Sequence, residues 1–473
     1  MTSVAEKLRA AFGRFQARDL AGAARLCGEV LSAAPGQRDA LHLLGVVRLA
    51  DGDANEAASL IRKALDGGAP DAAMLENLGL AHLVLRNYAR AEALFRDALA
   101  LGVSHGSLYM RLGIALASQG KLEDAVTALR EAAARSPDMP DVHLNLGNTL
   151  AERGQPEEAL ACYNRVLALQ PDHPAAHFNL GNLHRNAGRL EEAEISYKRV
   201  LAVAPNDADV HNNLGLVYER QLRLDDAAAC YRQALALTPD HVHALSNLGN
   251  VLRTQGRLDE AAAYCEKALA ARPDFVDALI NLGNVRAEQQ RLEDAETLFT
   301  RALRINPRSA DASRNLGTLY RGQGRMDEAI ASYRRALERE PAQAPVHLDL
   351  GRTYLDHGDP AAASACFRQA LDLRPDDADA SLGLAEALKL QGRLDEAAAW
   401  YERTLAREPR HLQALSGLLH TQQHMCNWNE LEQRWKRLRT FWIEPAPLTP
   451  KLEKVIYILE PFKKHKSLTL CFS

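Results

Sequence analysis

Six asparagines, Asn145, Asn179, Asn213, Asn247, Asn281 and Asn315, stand 34 residues apart, with Asn77 before them and Asp349 after them in the same register. Asn148, Asn182, Asn250 and Asn284 each follow one of them by three residues. A carboxamide carries both a donor and an acceptor, so it can pair with a peptide main chain whatever side chains the partner bears. A ladder of such groups suits sequence-tolerant capture of an extended, unstructured polypeptide. The competing expectation is that these side chains bond neighbouring helices or water, where most side-chain hydrogen bonds go. Six in register, of a residue type only average for helix stability, favour binding.

Other residues with chemical potential are less organised. His173/His177 and His420/His424 have the i, i+4 spacing of zinc pairs but lack a nearby third ligand, so no metal is expected. Cys27, Cys162, Cys230, Cys265 and Cys366 fall at one or two helical positions and read as core thiols, whereas Cys471 reads as a stray reactive thiol. No Ser/His/Asp arrangement clusters enough to suggest a nucleophile. Neither a catalytic residue nor a cofactor is assigned.

The elements that must position the asparagines follow from the same period. Twelve repeats of 34 residues begin at residues 4, 38, 72, 106, 140, 174, 208, 242, 276, 310, 344 and 378, and cover residues 4–411. Position 7 is Leu in repeats two to twelve, position 8 is Gly in ten, position 20 is Ala in all twelve and position 32 is Pro in ten. Apolar positions 3, 7 and 10 predict one amphipathic helix over the first fourteen residues of a repeat. Glycine at position 15 in eight repeats predicts its left-handed stop. A second helix then starts on DEA or EEA, carries Tyr163, Tyr197, Tyr231, Phe299 or Tyr333 at position 24, and ends before the proline. Small residues at positions 8 and 20 are expected where the two helix backbones approach. The asparagines occupy positions 6 and 9, on the first helix and away from its Leu-Gly core.

Composition agrees with an all-α class. Of the 473 residues, 47% are apolar but only 5% aromatic, helix formers dominate and β-branched residues are sparse. A net charge of −4 and an isoelectric point near 6.5 provide no basic footprint, so nucleic acid is not an expected partner. No apolar window is long enough to span a membrane, and the N-terminal residues lack a secretory h-region. The expected compartment is cytoplasmic, with reduced thiols.

Period, Leu-Gly, Ala, aromatic and Pro together resemble the tetratricopeptide repeat, although His143, His177, His211 and His347 replace the usual aromatic residue at position 4. The resemblance implies an all-α, right-handed superhelical solenoid of about twelve helix–turn–helix units, whose first helices line a concave face that binds protein partners. Units reading HxNLGN…G(R/K)LEEA…Y…PDH are further similar to the repeats of protein O-linked N-acetylglucosamine transferase and SPINDLY-type relatives, in which an asparagine ladder holds substrate polypeptide. Cys426-Asn427-Trp428 is similar to the Cys-Asp-Trp segment that joins those repeats to the catalytic region.

That implies either a binding scaffold or a glycosyltransferase lacking its catalytic half. Gly417 is the last glycine, so no phosphate-cradling turn is expected beyond it. Residues 412–442 are expected to form capping or linker helices presenting Trp428, Trp435 and Trp442 on one face, a stripe suited to self-association. Residues 451–473 contain no Ala, Arg or Gly yet hold five lysines, so 443–473 is expected to be a poorly packed tail left by truncation or frameshift.

Overall fold

Alanine at position 20 decides how closely the two helices of a repeat approach. All twelve, from Ala23 to Ala397, are 0% exposed. The computed structural model describes residues 3–425; Cys426, Trp428, Trp435, Trp442, Cys471 and the remainder of 426–473 lie outside the described residues. Among the described residues are 25 α-helices and no strand. Twelve helix pairs run from Val4–Gln16 with Leu20–Ala33 to Ala378–Leu390 with Leu394–Arg407, followed by a single helix Leu412–His424. The chain divides into two compact bodies between Pro239 and Asp240, the first holding the helix pairs of repeats 1–7 and the second those of repeats 8–12.

Inside each body every helix packs on its successor, and the first helices of consecutive repeats also touch, forming a continuous first-helix layer. The core is a succession of small clusters spanning neighbouring repeats, such as Leu75, Phe95, Leu108 and Leu116. This is the packing of a solenoid, in which a repeat buries its apolar face only against its neighbours.

The position 8 glycines make room for a side chain as well as for the expected backbone approach, since a Cβ on Gly45 or Gly249 would also lie 3.2 or 3.1 Å from the position 20 carbonyls of Ala57 and Ala261. The residue at position 24 of the same repeat lies across the glycine. A Cβ placed on Gly147 would lie 2.6 Å from Tyr163 Cε1, one on Gly283 would lie 2.5 Å from Phe299 Cε1, and one on Gly249 would lie 2.5 Å from Cys265 Sγ. Cys27 and Cys265, at position 24, are fully buried, while Cys162, Cys230 and Cys366, at position 23, are half-buried. Burial pushes the Cys27 thiol up to about 11 and that of Cys265 to about 12.

The first helix stops in a left-handed residue in every repeat, not only the eight with glycine. Arg18, Arg86, Leu222 and Gln290 occupy position 15 with φ near 60°. In each case the amide at position 16 donates to the carbonyl at position 11, as Arg223 does to Tyr218 at 2.9 Å. This is the Schellman bond, and it imposes the left-handed residue whatever the side chain.

The repeats are joined by a second recurrent set of bonds. His143, His177, His211 and His347 donate from Nε2 to the carbonyls of Pro137, Pro171, Pro205 and Pro341 in the preceding repeat, at 2.8–3.0 Å. Histidine thus replaces the aromatic residue at position 4 by satisfying a carbonyl left open at a helix end. Charged pairs add to this: Lys121 meets Glu92 at 2.7 Å, Arg223 meets Glu194 at 3.1 Å, and Arg325 meets Glu296 at 2.7 Å, each across a repeat boundary.

Two substitutions test this account with opposite signs. Leu222→Gly should stabilise repeat 7 by about 0.5–1 kcal/mol, because a non-glycine residue in the left-handed region costs ~1–2 kcal/mol and glycine returns part of that in chain entropy. Gly147→Ala should destabilise repeat 5 by roughly 1–3 kcal/mol through overpacking against Tyr163. Hydrogen exchange resolved by repeat is the measurement, since stability in a solenoid is local. Changes spread evenly over the whole chain would contradict this architecture.

Candidate functional site

Positions 6 and 9 face away from the buried Leu at position 7 and Gly at position 8, on the open side of the first-helix layer. Asn148 is exposed there, and Asn77, Asn145, Asn179, Asn182, Asn213, Asn247, Asn250, Asn281, Asn284, Asn315 and Asp349 are half-buried. The two positions belong together. Asn148 Oδ1 accepts from the Tyr163 hydroxyl at 2.8 Å and from Asn179 Nδ2, one repeat on, at 2.7 Å. Asn182 Oδ1 likewise accepts from Tyr197 at 2.7 Å and from Asn213 Nδ2 at 3.4 Å. Position 24 of one repeat, position 9 of the same repeat and position 6 of the next make a polar rung.

Much of the ladder's hydrogen-bonding capacity is therefore used inside the protein. Asn77 donates to His42 Nε2 at 3.0 Å, with His42 held neutral by burial. Asn145 donates to the carbonyl of Asp141 in its own helix, and Asn281 donates to Ser246 Oγ at 2.9 Å. Arg253 donates to Asn250 at 3.2 Å, and Asn213 Oδ1 accepts from Arg185 at 3.4 Å. Asn284 and Asn315 have no hydrogen-bond partner among the described residues. What the rung of repeats 5 and 6 leaves open is specific: both N–H groups of Asn148 and the Oδ1 of Asn179.

The tyrosines escape a reading that looks only at exposed polar residues, since Tyr163 and Tyr197 are 2% and 0% exposed. The available signal was the constant separation of fifteen residues between Asn148 and Tyr163 and between Asn182 and Tyr197. Burial raises both phenols, that of Tyr197 to about 12, so each remains a donor. Where position 9 is Leu216 the Tyr231 hydroxyl goes instead to Glu219 at 3.0 Å, and where it is Thr318 the Tyr333 hydroxyl still meets position 9, at 2.9 Å.

Position 9 changes character along the sequence. It is Phe12, Val46, Leu80 and Ile114 in repeats 1–4, becomes amide in repeats 5, 6, 8 and 9, and is Arg352 and Glu386 in repeats 11 and 12. Asp349 takes the ladder's position 6 in repeat 11, and burial holds its carboxyl above the ordinary range, opposed by Arg352, Arg314 and Arg321. The histidine pairs serve other ends: His173 caps its helix by accepting the Ala176 amide and His177 bonds Pro171, whereas the rings of His420 and His424 meet at a tilt of 58° with centroids 4.4 Å apart. Among the described residues no group of three or more His, Cys, Asp and Glu is placed to hold a metal, and no helix is long and apolar enough to cross a membrane.

Asp349→Asn tests the electrostatics of the ladder's end. A carboxyl whose pKa is raised by folding binds its proton more tightly in the folded state, so ionisation costs stability as pH rises above the ordinary value of 3.8. The variant should be more stable than the wild type at neutral pH, and the difference should shrink as pH falls through 3.8. Denaturant melts across that range provide the check, and a pH-independent difference would mean that the charge is not the cause.

Comparison with known proteins agrees with the geometry. Tetratricopeptide repeat models match residues 76–140 and 348–411 and, separately, residues 308–376. Residues 118–315 match the model of the cilia and flagella-associated protein 70 C-terminal domain. No curated protein matches the chain. Among solved structures, a chain in the crystal structure of the APC/C hetero-tetramer Cut9-Hcn1 is similar at 15% identity and a TM-score of 0.48, over 89% of this chain and 96% of that one. With a 34-residue period and paired helices throughout the described repeats, the chain is a tetratricopeptide-repeat protein.

Proposed function

We propose that this protein is a binding scaffold that captures extended polypeptide on the first-helix layer, through its partner's main chain. The observation that carries the reading is the open valence of the rung at Asn148 and Asn179. Donors on one carboxamide stand next to an acceptor on the other, the complement of the carbonyl and N–H of a peptide group. Main-chain pairing of this kind is indifferent to the partner's sequence. The cytoplasm is the compartment we assign, in keeping with the unpaired thiols of Cys27, Cys162, Cys230, Cys265 and Cys366.

Delivery of the captured segment to a sugar-transfer reaction is the narrower alternative. It rests on the sequence resemblance alone, and turnover of a nucleotide-sugar donor by this chain would favour it.

The test is binding of labelled unstructured peptides of unrelated sequence, followed by anisotropy or calorimetry. Asn148→Ala and Asn179→Ala should each weaken binding by about 0.5–1.5 kcal/mol per lost bond, similarly for every peptide, with helicity unchanged. Unaltered affinity, or a loss confined to one peptide sequence, would overturn main-chain capture.

A further inference from the structure

We propose that Tyr163 and Tyr197 are positioning residues of this face: their buried hydroxyls fix which way the carboxamides of Asn148 and Asn182 point, and so set the donor and acceptor polarity offered to a bound peptide group. The proposal rests on the main-chain reading above and names the residues that give it direction.

An asparagine carboxamide turns about a broad, nearly two-fold torsion, so on an open surface its oxygen and nitrogen exchange places easily. A rung free to flip would present donors and acceptors at random. In repeats 5 and 6 it is not free. Asn148 Oδ1 receives two donors, the Tyr163 hydroxyl at 2.8 Å and Asn179 Nδ2 at 2.7 Å, which saturates the oxygen and turns both N–H groups outward. Flipping Asn148 would place Nδ2 against the phenol, whose oxygen could accept. The hydroxyl proton would then lose its acceptor at a site 2% exposed, and a buried unsatisfied donor costs about 1–3 kcal/mol. Tyr197 and Asn182 repeat the arrangement at 2.7 Å.

The fold itself contains the control. Position 24 is Phe299 in repeat 9, where the position 9 amide Asn284 has no hydroxyl above it. The ring sits as the tyrosines do, 2.5 Å from a Cβ placed on Gly283 against 2.6 Å for Tyr197 on Gly181. Phenylalanine at this position therefore packs without rearrangement, and Tyr→Phe removes the hydroxyl alone.

The experiment compares Tyr163→Phe/Tyr197→Phe, Asn148→Ala/Asn182→Ala and the quadruple variant in the full chain, with a labelled unstructured peptide as probe. The tyrosine pair should bind about three- to tenfold more weakly, the fold-change expected for one or two lost hydrogen bonds. The quadruple variant should be no weaker than the asparagine pair, because the tyrosines act only through the amides. In the unliganded protein, the side-chain N–H resonances of Asn148 and Asn182 should lose their separate environments in the tyrosine variant, a change that loss of packing elsewhere would not produce. Phe299→Tyr should strengthen binding by a few-fold, by orienting Asn284. If the asparagine pair weakens binding and the tyrosine pair does not, or if the two losses multiply in the quadruple variant, the positioning role is wrong while main-chain capture stands. If the asparagine pair binds as the wild type does, both fall.

Discussion

The ring laid across a glycine is the contact on which this structure depends. It packs the two helices of a repeat together, and in these repeats glycine at position 8 makes the room: the places a Cβ would take on Gly147, Gly181, Gly215 and Gly317 lie 2.5–2.9 Å from tyrosine ring atoms. The same contact aims the para position of the ring past the glycine to its neighbour at position 9. Tyr163 and Tyr197 complete the core with their rings and a polar rung with their hydroxyls, whereas Phe299 and Cys265 do only the first.

Between repeats, polar bonds supplement the apolar clusters that span each boundary. The histidine bonds to Pro137, Pro171, Pro205 and Pro341 close carbonyls just past helix ends, and pairs such as Arg130–Glu158 bridge exposed surface, where an ion pair contributes at most about 1 kcal/mol. Stability consequently comes from many equivalent interfaces, none of which dominates. The polar rungs Asn148–Asn179 and Asn182–Asn213 are part of that linkage, because they cross from one first helix to the next.

The fold was legible because each of its constraints falls on a residue type. Ala at position 20, Gly at position 8 and Pro at position 32 are chosen by sterics, and sterics recur with the repeat. The left-handed turn was legible in eight repeats and hidden in four. At Arg18, Arg86, Leu222 and Gln290 the hydrogen-bonded helix end overrides a residue's own preference, and no local composition reports that. The ladder was legible as positions but not as valences. Whether Asn145 turns back to Asp141, or Asn179 reaches forward to Asn148, depends on side-chain torsions that a one-letter pattern does not carry. The expectation that such groups bond one another is met in the rung at Asn148 and Asn179, which still leaves each carboxamide a polar atom to offer.

Magnitudes then say how such a face must work. A rung offers a bound peptide group two hydrogen bonds of about 0.5–1.5 kcal/mol each, while ordering each backbone residue of an unstructured partner costs ~1–2 kcal/mol. Two rungs of the Asn148–Asn179 kind barely offset the residues they immobilise, so main-chain pairing can set register and direction without supplying affinity. Affinity has to come from apolar area removed from water, at roughly 25 cal/mol per Å². The first-helix layer of residues 3–239 holds such area at the ladder's own position, in Phe12, Val46, Leu80 and Ile114, with Phe12 half exposed at 50%. For the capture proposed above, register would come from main chain over Asn148 and Asn182, and affinity from whatever apolar side chains meet repeats 1–4.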